Sequence, residues 1–314
     1  MAEKIATREA YGKALAELGE KYSNFVVLDA DLAEATKTIY FKKAFPDRFF
    51  DCGIAEGNMM SVAAGIASTG KTVFASSFAM FAAGRAFEQV RNTIGYPHLN
   101  VKIGATHAGV TVGEDGATHQ CLEDIALMRT IPGMTVINPA DAVEAKAAVE
   151  AAINIDGPVY MRFGRYAVPV INDTPEYTFQ VGKGVQLRDG TDVTVVATGI
   201  MVSMALEAAE ALAAEGISVR VVNIHTIKPI DRDILAKAAK ETGAIVTAEE
   251  HNIIGGLGSA VTEVVSEECP VPVVRVGVKD EFGHSGKVPP LLEMYGLTPA
   301  KIAEAVKKAV ELKK

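Results

Sequence analysis

Short apolar runs alternate along the chain with longer segments in which apolar residues recur every three or four positions. The short runs predict buried strands, and the longer segments predict amphipathic helices. In the first half we predict strands at 25–28, 49–51, 72–75, 101–105, 135–137 and 159–161. We predict helices at 55–67, 85–93, 122–129 and 142–153, and a first helix that Thr7 caps. This alternation is typical of a parallel sheet covered by helices on both faces.

The apolar periodicity weakens between residues 163 and 181, where Pro169, Asn172, Asp173 and Pro175 cluster. Such residues break regular structure, and we place a linker at 171–184. A second unit follows, with strands predicted at 193–197, 219–223, 244–248 and 273–276 and helices at 203–214, 231–240, 257–265 and 299–312. The sequence therefore predicts an α/β protein with two doubly wound, mostly parallel-sheet domains, at 1–170 and 185–314.

Composition narrows the class of protein and of partner. The 314 residues are 49% hydrophobic and 22% charged, which is typical of a soluble globular chain with a large core. A net charge of −8 without a basic cluster argues against nucleic acid as the main partner. The chain has no apolar run long enough for a membrane span, and its start lacks a signal-peptide core. Three scattered cysteines indicate a reduced, cytoplasmic setting.

Residues 65–72 match the phosphate-loop pattern GxxxxGK[ST] letter for letter. That loop binds phosphate only when a strand precedes it and a helix follows it, because the helix amino terminus must face the phosphates. Here the predicted order is reversed, with a helix before the motif and a strand after it. We therefore reject nucleotide hydrolysis and interpret Gly70 as the end of a helix.

The segment between Thr106 and Gln120 carries the strongest chemical signal. It follows a predicted strand and contains His107, Asp115 and His119 among several glycines. Glycines let backbone approach a ligand closely, and histidine exchanges protons near neutral pH. Loops at the carboxyl ends of parallel strands are where α/β proteins bind ligands. The alternative is a polar surface loop with a glycine turn.

Glu56 and two phenylalanines are further candidates. Glu56 begins a helix otherwise rich in Ala, Met and Val, where it is either a functional carboxylate or an acid favoured by the helix dipole. Phe78 and Phe81 follow the next strand, and they form either part of the core or an aromatic surface for a flat ring.

Three arginines are candidates for binding an anion. Arg162 and Arg165 end a predicted strand, which is a suitable place for forked recognition of a phosphate, and Arg8 lies near the start of the first helix. The alternative is that they are surface charges.

Taken together, these segments resemble the transketolase family. The resemblance covers essentially the whole chain, but only the carboxyl-terminal half to two-thirds of a full-length transketolase. It implies a thiamine-diphosphate-dependent enzyme built from a pyrimidine-binding domain and a transketolase carboxyl-terminal-type domain. The segments that carry it are 6–8, 30–32, 51–56, 77–81, 106–107 and 113–120.

The resemblance implies which residues bind the cofactor. Glu56 contacts N1′ of the aminopyrimidine, and a buried, protonated carboxyl group there favours the imino form of the ring. Phe81, with Phe78 nearby, stacks against the ring, and Asp31 and Leu32 line the same pocket.

The resemblance also implies which residues bind the substrate. His107 and His119 bind hydroxyl groups and transfer protons, and Asp115 binds the C2 hydroxyl of the donor. Arg8 and Arg162 hold the sugar phosphate.

The chain departs from the family pattern in three places. Ala108 and Gly57 stand where many members carry Asp and Gln. Arg162 lies in Met-Arg-Phe-Gly-Arg rather than Ser-Arg-Gln, so Arg165 is an alternative phosphate ligand.

The family's diphosphate site is the feature that this sequence lacks. In the family, a GDG sequence followed by Asn about two dozen residues later binds magnesium and the diphosphate, and we find no such pair. We therefore expect no metal ligands in this chain. We expect it to be the carboxyl-terminal subunit of a split transketolase. An amino-terminal partner would carry the magnesium site in an α2β2 assembly.

The expected reaction is reversible transfer of a two-carbon ketol unit from a ketose phosphate to an aldose phosphate, as in pentose phosphate metabolism. Two other enzymes with the same cofactor remain as alternatives, deoxyxylulose-phosphate synthase and the beta subunit of a 2-oxo-acid dehydrogenase. A non-catalytic regulatory subunit is an alternative of another class. In the second domain, the glycines at 255–258 either bind an anion or serve tight packing, and 282–286 is equally open.

Overall fold

A seven-stranded sheet forms the centre of the first half of the chain, in a computed structural model that describes residues 3–313. From one edge to the other its strands are β12 (Thr226–Lys228), β6 (Thr135–Ile137), β7 (Val159–Arg162), β5 (Val101–Thr106), β4 (Thr72–Phe78), β2 (Phe25–Asp29) and β3 (Phe49–Asp51). All neighbours are parallel except β12, which runs antiparallel to β6. The predicted parallel sheet is confirmed.

Helices cover both faces of this sheet because successive strand residues point in opposite directions. In β2, Val26 and Leu28 pack on one face, whereas Phe25 and Val27 pack on the other. The helices are α1 (Thr7–Lys21), α2 (Ala33–Thr36), α3 (Ile39–Ala44), α4 (Glu56–Ala67), α5 (Phe87–Gln89), α6 (Asp124–Arg129) and α7 (Ala142–Ile153).

Two details of the first half differ from the expectation or complete it. Thr7 does not cap α1; it lies in the first turn, and its Oγ1 accepts a hydrogen bond from the N–H of Gly164 at 2.8 Å. The helix predicted at 85–93 is part of a longer helical stretch, which has wide π-type turns at Met80–Arg85 and Val90–Gly95. Such turns are common at functional sites.

The phosphate-loop match at 65–72 has a helix before it and a strand after it, as predicted, which is the reverse of the order that binds phosphate. Helix α4 ends at Ala67, and strand β4 begins at Thr72. The intervening Gly70 has a φ of +88°, a left-handed conformation that favours glycine at the end of a helix.

The second half is built on a five-stranded sheet. Its strands, in order, are β14 (Val273–Val278), β13 (Ile245–Asn252), β10 (Val193–Ala197), β11 (Val219–Asn223) and β9 (Val185–Arg188). Its helices are α8 (Met201–Ala213), α9 (Arg232–Thr242), α10 (Leu257–Glu268), α11 (Val288–Met294) and α12 (Pro299–Leu312). The antiparallel edge strand β9 and helix α11 were not predicted.

The two halves are connected by more than the chain itself. Strand β12 comes from the second half but pairs with the sheet of the first. Within 171–184 there is no helix or strand, and the N–H groups of Ile171 and Asn172 donate to Asp141 Oδ2 at 2.8 and 2.7 Å. Near the start, β1 (Lys4–Ala6) pairs with β8 (Ala167–Pro169). No helix within residues 3–313 is both long and apolar enough to cross a membrane.

Candidate active site

Three neighbouring strands and one helix bring the candidate residues together. Strands β2, β4 and β5 lie side by side and are parallel, so their carboxyl ends meet at one edge of the sheet. Asp31 follows β2, Phe78 ends β4 and His107 follows β5, while Glu56 begins α4. This edge is where open α/β sheets bind ligands.

Glu56 is buried beside an arginine that the sequence analysis missed. Its side chain is 2% exposed, and its Oε2 accepts a hydrogen bond from Arg85 Nη1 at 2.9 Å. The Arg85 guanidinium carbon also lies 4.4 Å from the ring centre of Phe81. The signal that could have found Arg85 is its position four residues after Phe81, since helical residues at that spacing are neighbours.

The two phenylalanines and the two histidines form one aromatic cluster. The rings of Phe78 and Phe81 are stacked with centroids 5.8 Å apart, and the His107 ring stacks on Phe78 at 3.7 Å. The His119 ring meets Phe81 edge-on at 5.3 Å. Offset-stacked and edge-on arrangements are the ones that aromatic quadrupoles favour.

A cavity of about 370 Å³ opens beside this cluster. It combines an aromatic face, a buried carboxylate and an imidazole, which is a lining suited to a flat heteroaromatic ring. Phe78 lies behind it, in the stack. The residues around the cavity are Ala30, Asp31, Leu32, Ile54, Glu56, Phe81, Arg85, Thr118 and His119.

A buried aspartate fixes the turn that carries Asp31 and Leu32. The carboxylate of Asp29 accepts hydrogen bonds from the Leu32 N–H at 2.6 Å and from the hydroxyls of Thr36 and Thr38. Burial raises the pKa of Asp29 to about 6. Asp31 itself has a φ of +62°, so the turn holds a strained conformation at the cavity edge.

His107 is held as a neutral ring. Arg8 Nη1 lies 2.8 Å from its Nε2, and because arginine can only donate, Nε2 accepts. Nδ1 lies 2.9 Å from Thr106 Oγ1 and therefore carries the hydrogen. Burial, followed by the positive charges of Arg8 and Arg165, lowers the pKa of His107 to about 3. His107 as a residue is 3% exposed, and its backbone φ is +56°.

Positive charges act on His107. Arg8 donates to the Ala35 carbonyl at 2.9 Å, and its pKa is lowered by burial and by the charge of Arg165. Arg165 donates to the Val112 carbonyl at 2.7 Å and lies 3.5 Å from Asp115 Oδ2. Lys37, which also contributes to the lowered pKa of His107, was not predicted, and no sequence signal marks it.

Arg162 does not lie with the other substrate candidates. Its guanidinium is 4% exposed, and its Nε donates to Asp124 Oδ2 at 2.8 Å. Its Nη2 donates to the carbonyl of Glu250 at 2.9 Å. Because these donors are directed at buried groups between the two halves, the structure argues against Arg162 as a phosphate ligand.

The glycine turn at 255–258 is occupied by a carboxylate of the same chain. Glu249 accepts hydrogen bonds from the N–H groups of Leu257 at 2.6 Å and Gly258 at 2.8 Å. A Cβ on Gly256 would lie 2.0 Å from the Glu249 carboxylate. This turn therefore serves packing at the start of α10 rather than binding of an external anion. Among residues 3–313 no cluster of three or more His, Cys, Asp or Glu side chains is placed to hold a metal ion.

Family models and relatives agree on one family. The model for the pyrimidine-binding domain of transketolase matches residues 3–170, and the model for the transketolase C-terminal domain matches residues 182–302. A Methanocaldococcus jannaschii protein named "Putative transketolase C-terminal section" is 52% identical over 301 residues, which are 95% of this chain and 94% of that protein. Mouse transketolase is 42% identical over 309 residues, which cover 97% of this chain but only 49% of the mouse protein.

A solved structure gives the same result. A split-gene transketolase, described as an inactive β4 tetramer, is 58% identical and superposes with a TM-score of 0.92, covering 99% of this chain and 100% of that one. A transketolase from Leishmania mexicana, 25% identical, superposes with a TM-score of 0.82 over 99% of this chain and 46% of its own. The comparisons favour transketolase over the two other thiamine diphosphate enzymes. The chain belongs to the transketolase family and corresponds to the carboxyl-terminal subunit of a split transketolase.

Proposed function

We propose that this chain, paired with an amino-terminal subunit, transfers a two-carbon ketol unit reversibly from a ketose phosphate to an aldose phosphate, as in pentose phosphate metabolism. The observation that carries the proposal is the cavity that combines the buried Glu56 carboxyl group, the face of Phe81 and the ring of His119. The presence of all four expected polar side chains argues against a non-catalytic subunit; they are Glu56, His107, Asp115 and His119. The three cysteines have free thiols, which agrees with a cytoplasmic setting.

The residues present fit the aminopyrimidine of thiamine diphosphate. Phe81 offers a ring face at the cavity, Asp31 and Leu32 border it, and Glu56 directs its carboxyl group to the same space. When bound, the cofactor supplies a nucleophilic carbon and an electron sink. Glu56 would hold a proton at N1′, and the Phe81–Phe78 stack would orient the ring.

The two histidines differ in the work that they can do. His107 is neutral and nearly buried, so its ring would position a donor hydroxyl together with Arg8 rather than exchange protons itself. His119 is half-buried and borders the cavity, so it would transfer protons to and from substrate hydroxyls. Asp115 would bind the donor C2 hydroxyl.

A cluster of positive charges would bind the anionic end of the substrate. Arg8 contacts His107, and the charges of Arg165 and Lys37 also act on that ring, in a protein whose net charge is −8. A relative that is 45% identical is named a 6-deoxy-6-sulfo-D-fructose transketolase subunit, and another, 40% identical, an apulose-4-phosphate transketolase subunit. Both names specify a sugar with a tetrahedral anion, which supports an anion site.

The partner would supply what this chain lacks. We propose that an amino-terminal subunit holds magnesium and the diphosphate, and that the two chains assemble as α2β2. The split-gene relative described as an inactive β4 tetramer supports the proposal that a carboxyl-terminal chain associates with itself but needs its partner for activity.

The test is an assay of this chain with thiamine diphosphate, magnesium, xylulose 5-phosphate and ribose 5-phosphate, with and without a GDG-containing partner chain. We expect no transfer by the chain alone and a seven-carbon sugar phosphate once the partner is added. Full turnover without the partner contradicts the split arrangement. In a parallel assay with pyruvate in place of xylulose 5-phosphate, consumption of pyruvate contradicts the proposed reaction.

A further inference from the structure

The loop between β5 and α6, residues 107–120, is held by the second half of the chain. We call it the histidine loop because it carries His107 and His119. Its central turn, Val110–Val112, is buried, and the Val110 side chain belongs to the same apolar cluster as the second sheet. Helix α11 of the second half also packs on this turn. The middle of the loop is therefore part of the core of the other half.

Glu250 makes a direct hydrogen bond to the backbone of the histidine loop. It lies on β13, is 4% exposed, and its Oε1 accepts a hydrogen bond from the backbone N–H of Thr111 at 2.7 Å. Gly109 has a φ of +81°, and a Cβ there would lie 2.2 Å from the same oxygen. Arg162 holds the backbone of Glu250 through its carbonyl. The positive φ of Gly109 and the lack of room for a Cβ beside Glu250 thus both restrict the loop at residue 109.

A second set of contacts holds the far end of the histidine loop. Gln120 is 3% exposed, and its Nε2 donates to the carbonyl of His284 at 2.9 Å and to that of Val110 at 3.1 Å. Ser285 Oγ donates to the carbonyl of Glu114 at 2.6 Å. The segment at 282–286, whose role the sequence left open, thus binds the loop next to Asp115.

We propose that Glu250 is a positioning residue, through which the second domain fixes the histidine loop in the conformation that presents His107, Asp115 and His119 to substrate. This inference rests on the proposed function. Loops are mobile unless other elements hold them, and a misplacement of about 1 Å lowers rates roughly 100-fold. In this proposal the second domain acts on the reaction through the histidine loop.

The first test is amide hydrogen exchange on the full chain without ligand. In Glu250→Ala, peptides from 107–120 are expected to exchange faster than in the wild type. Glu250→Gln is expected to restore slow exchange, because its amide oxygen still accepts from Thr111. Unchanged exchange in Glu250→Ala overturns the proposal.

Glu249→Ala is the matched control, because Glu249 is the adjacent residue on β13 and equally buried but binds the start of α10. It is expected to speed exchange at 255–262 and to leave 107–120 slow. Equal acceleration of the loop by both variants overturns the proposal. If Glu250→Ala fails to fold, Glu250→Asp decides, because its shorter side chain withdraws the carboxylate from the Thr111 N–H. Faster exchange at 107–120 supports the proposal, and wild-type exchange there overturns it.

The second test measures the complex with the partner chain. Glu250→Ala is expected to lower kcat/KM for ketol transfer roughly 100-fold. Its affinity for thiamine diphosphate is expected to fall much less than kcat/KM, because Glu56 and Phe81 lie outside the loop and the loop contributes Thr118 and His119 to the border of the cavity. Recovery by Glu250→Gln supports positioning, and wild-type kcat/KM in Glu250→Ala overturns it. A wild-type complex without ketol transfer refutes the proposed function instead, while the exchange experiment still decides whether Glu250 holds the loop.

Discussion

Replacing Arg162 by Met tests whether this arginine holds the two halves together or binds substrate. The guanidinium and the Asp124 carboxylate that it contacts are 4% and 0% exposed. Asp124 Oδ2 also accepts from the hydroxyl of Tyr160 at 2.8 Å, and Oδ1 has no hydrogen-bond partner within residues 3–313. Without Arg162, a buried carboxylate loses its counter-charge.

Breaking one side of a buried ion pair costs about 3–5 kcal/mol of unfolding free energy. At about 2.1 cal/mol/K of unfolding entropy per residue, a chain of 314 residues loses roughly 1.5 °C in melting temperature per kcal/mol, so Arg162→Met is expected to melt roughly 4–8 °C lower. Calorimetry on the full chain measures this shift. The triple variant Arg162→Met, Asp124→Leu, Tyr160→Phe removes both charges and the stranded hydroxyl, and it is expected to recover most of the loss.

Arg165→Met is the matched control, since Arg165 is 37% exposed. We expect it to raise the KM for the ketose phosphate in the complex and to leave the melting temperature within about 2 °C, as is usual for surface changes. The opposite pattern refutes the reasoning: a loss below about 1 kcal/mol in Arg162→Met, together with a raised KM, would place Arg162 on the substrate.

Three further predictions follow from the site and from the pKa values. His107 stays neutral down to about pH 3, so its ring NMR signals are expected to be constant between pH 5 and 8, and a midpoint near 6.5 contradicts this. Arg85→Met removes a guanidinium that contacts the ring face of Phe81 and the Glu56 carboxylate. Losing these contacts, worth about 1 kcal/mol, is expected to tighten thiamine diphosphate binding by the complex roughly fivefold in calorimetric titration. Weaker binding shows instead that Arg85 assists the cofactor. Burial lowers the pKa of His225 from 6.5 to about 4, so the unfolded state binds this proton at a higher pH than the folded state does, and the free energy of unfolding declines as pH falls between these values. In denaturant titrations, His225→Phe is expected to remove about 2–3 kcal/mol of the decline between pH 7 and 4.5. An unchanged decline excludes His225 as its cause.

The strand and helix order could be predicted because local patterns determine it. Strand β2 is a continuous apolar run, as expected for a parallel strand buried on both faces, and α4 follows from its Ala and Met periodicity. Strand β12 has three residues and exists because β6 offers it an edge, so no local pattern marks it. The same holds for β9 at the edge of the second sheet.

The candidate site was predictable where residues follow strands and much less so where partners are distant in sequence. Phe78 and His107 follow the ends of neighbouring strands, so sheet topology alone brings them close. Arg162 also ends a strand, but its environment depends on Asp124 and Glu250, 38 and 88 residues away. Residue type and spacing cannot distinguish a buried arginine from a ligand-binding one.

The most direct test concerns Glu56, and it measures ketol transfer by the complex of this chain and its amino-terminal partner. Glu56→Ala is compared with the wild type and with Glu88→Ala, a change at an acid of the helical stretch after β4 that is exposed and does not border the cavity. If Glu56 holds the proton at N1′, its loss is expected to lower kcat about 100- to 10,000-fold, with Glu88→Ala unaffected. Wild-type turnover by the Glu56→Ala complex would contradict the proposed site.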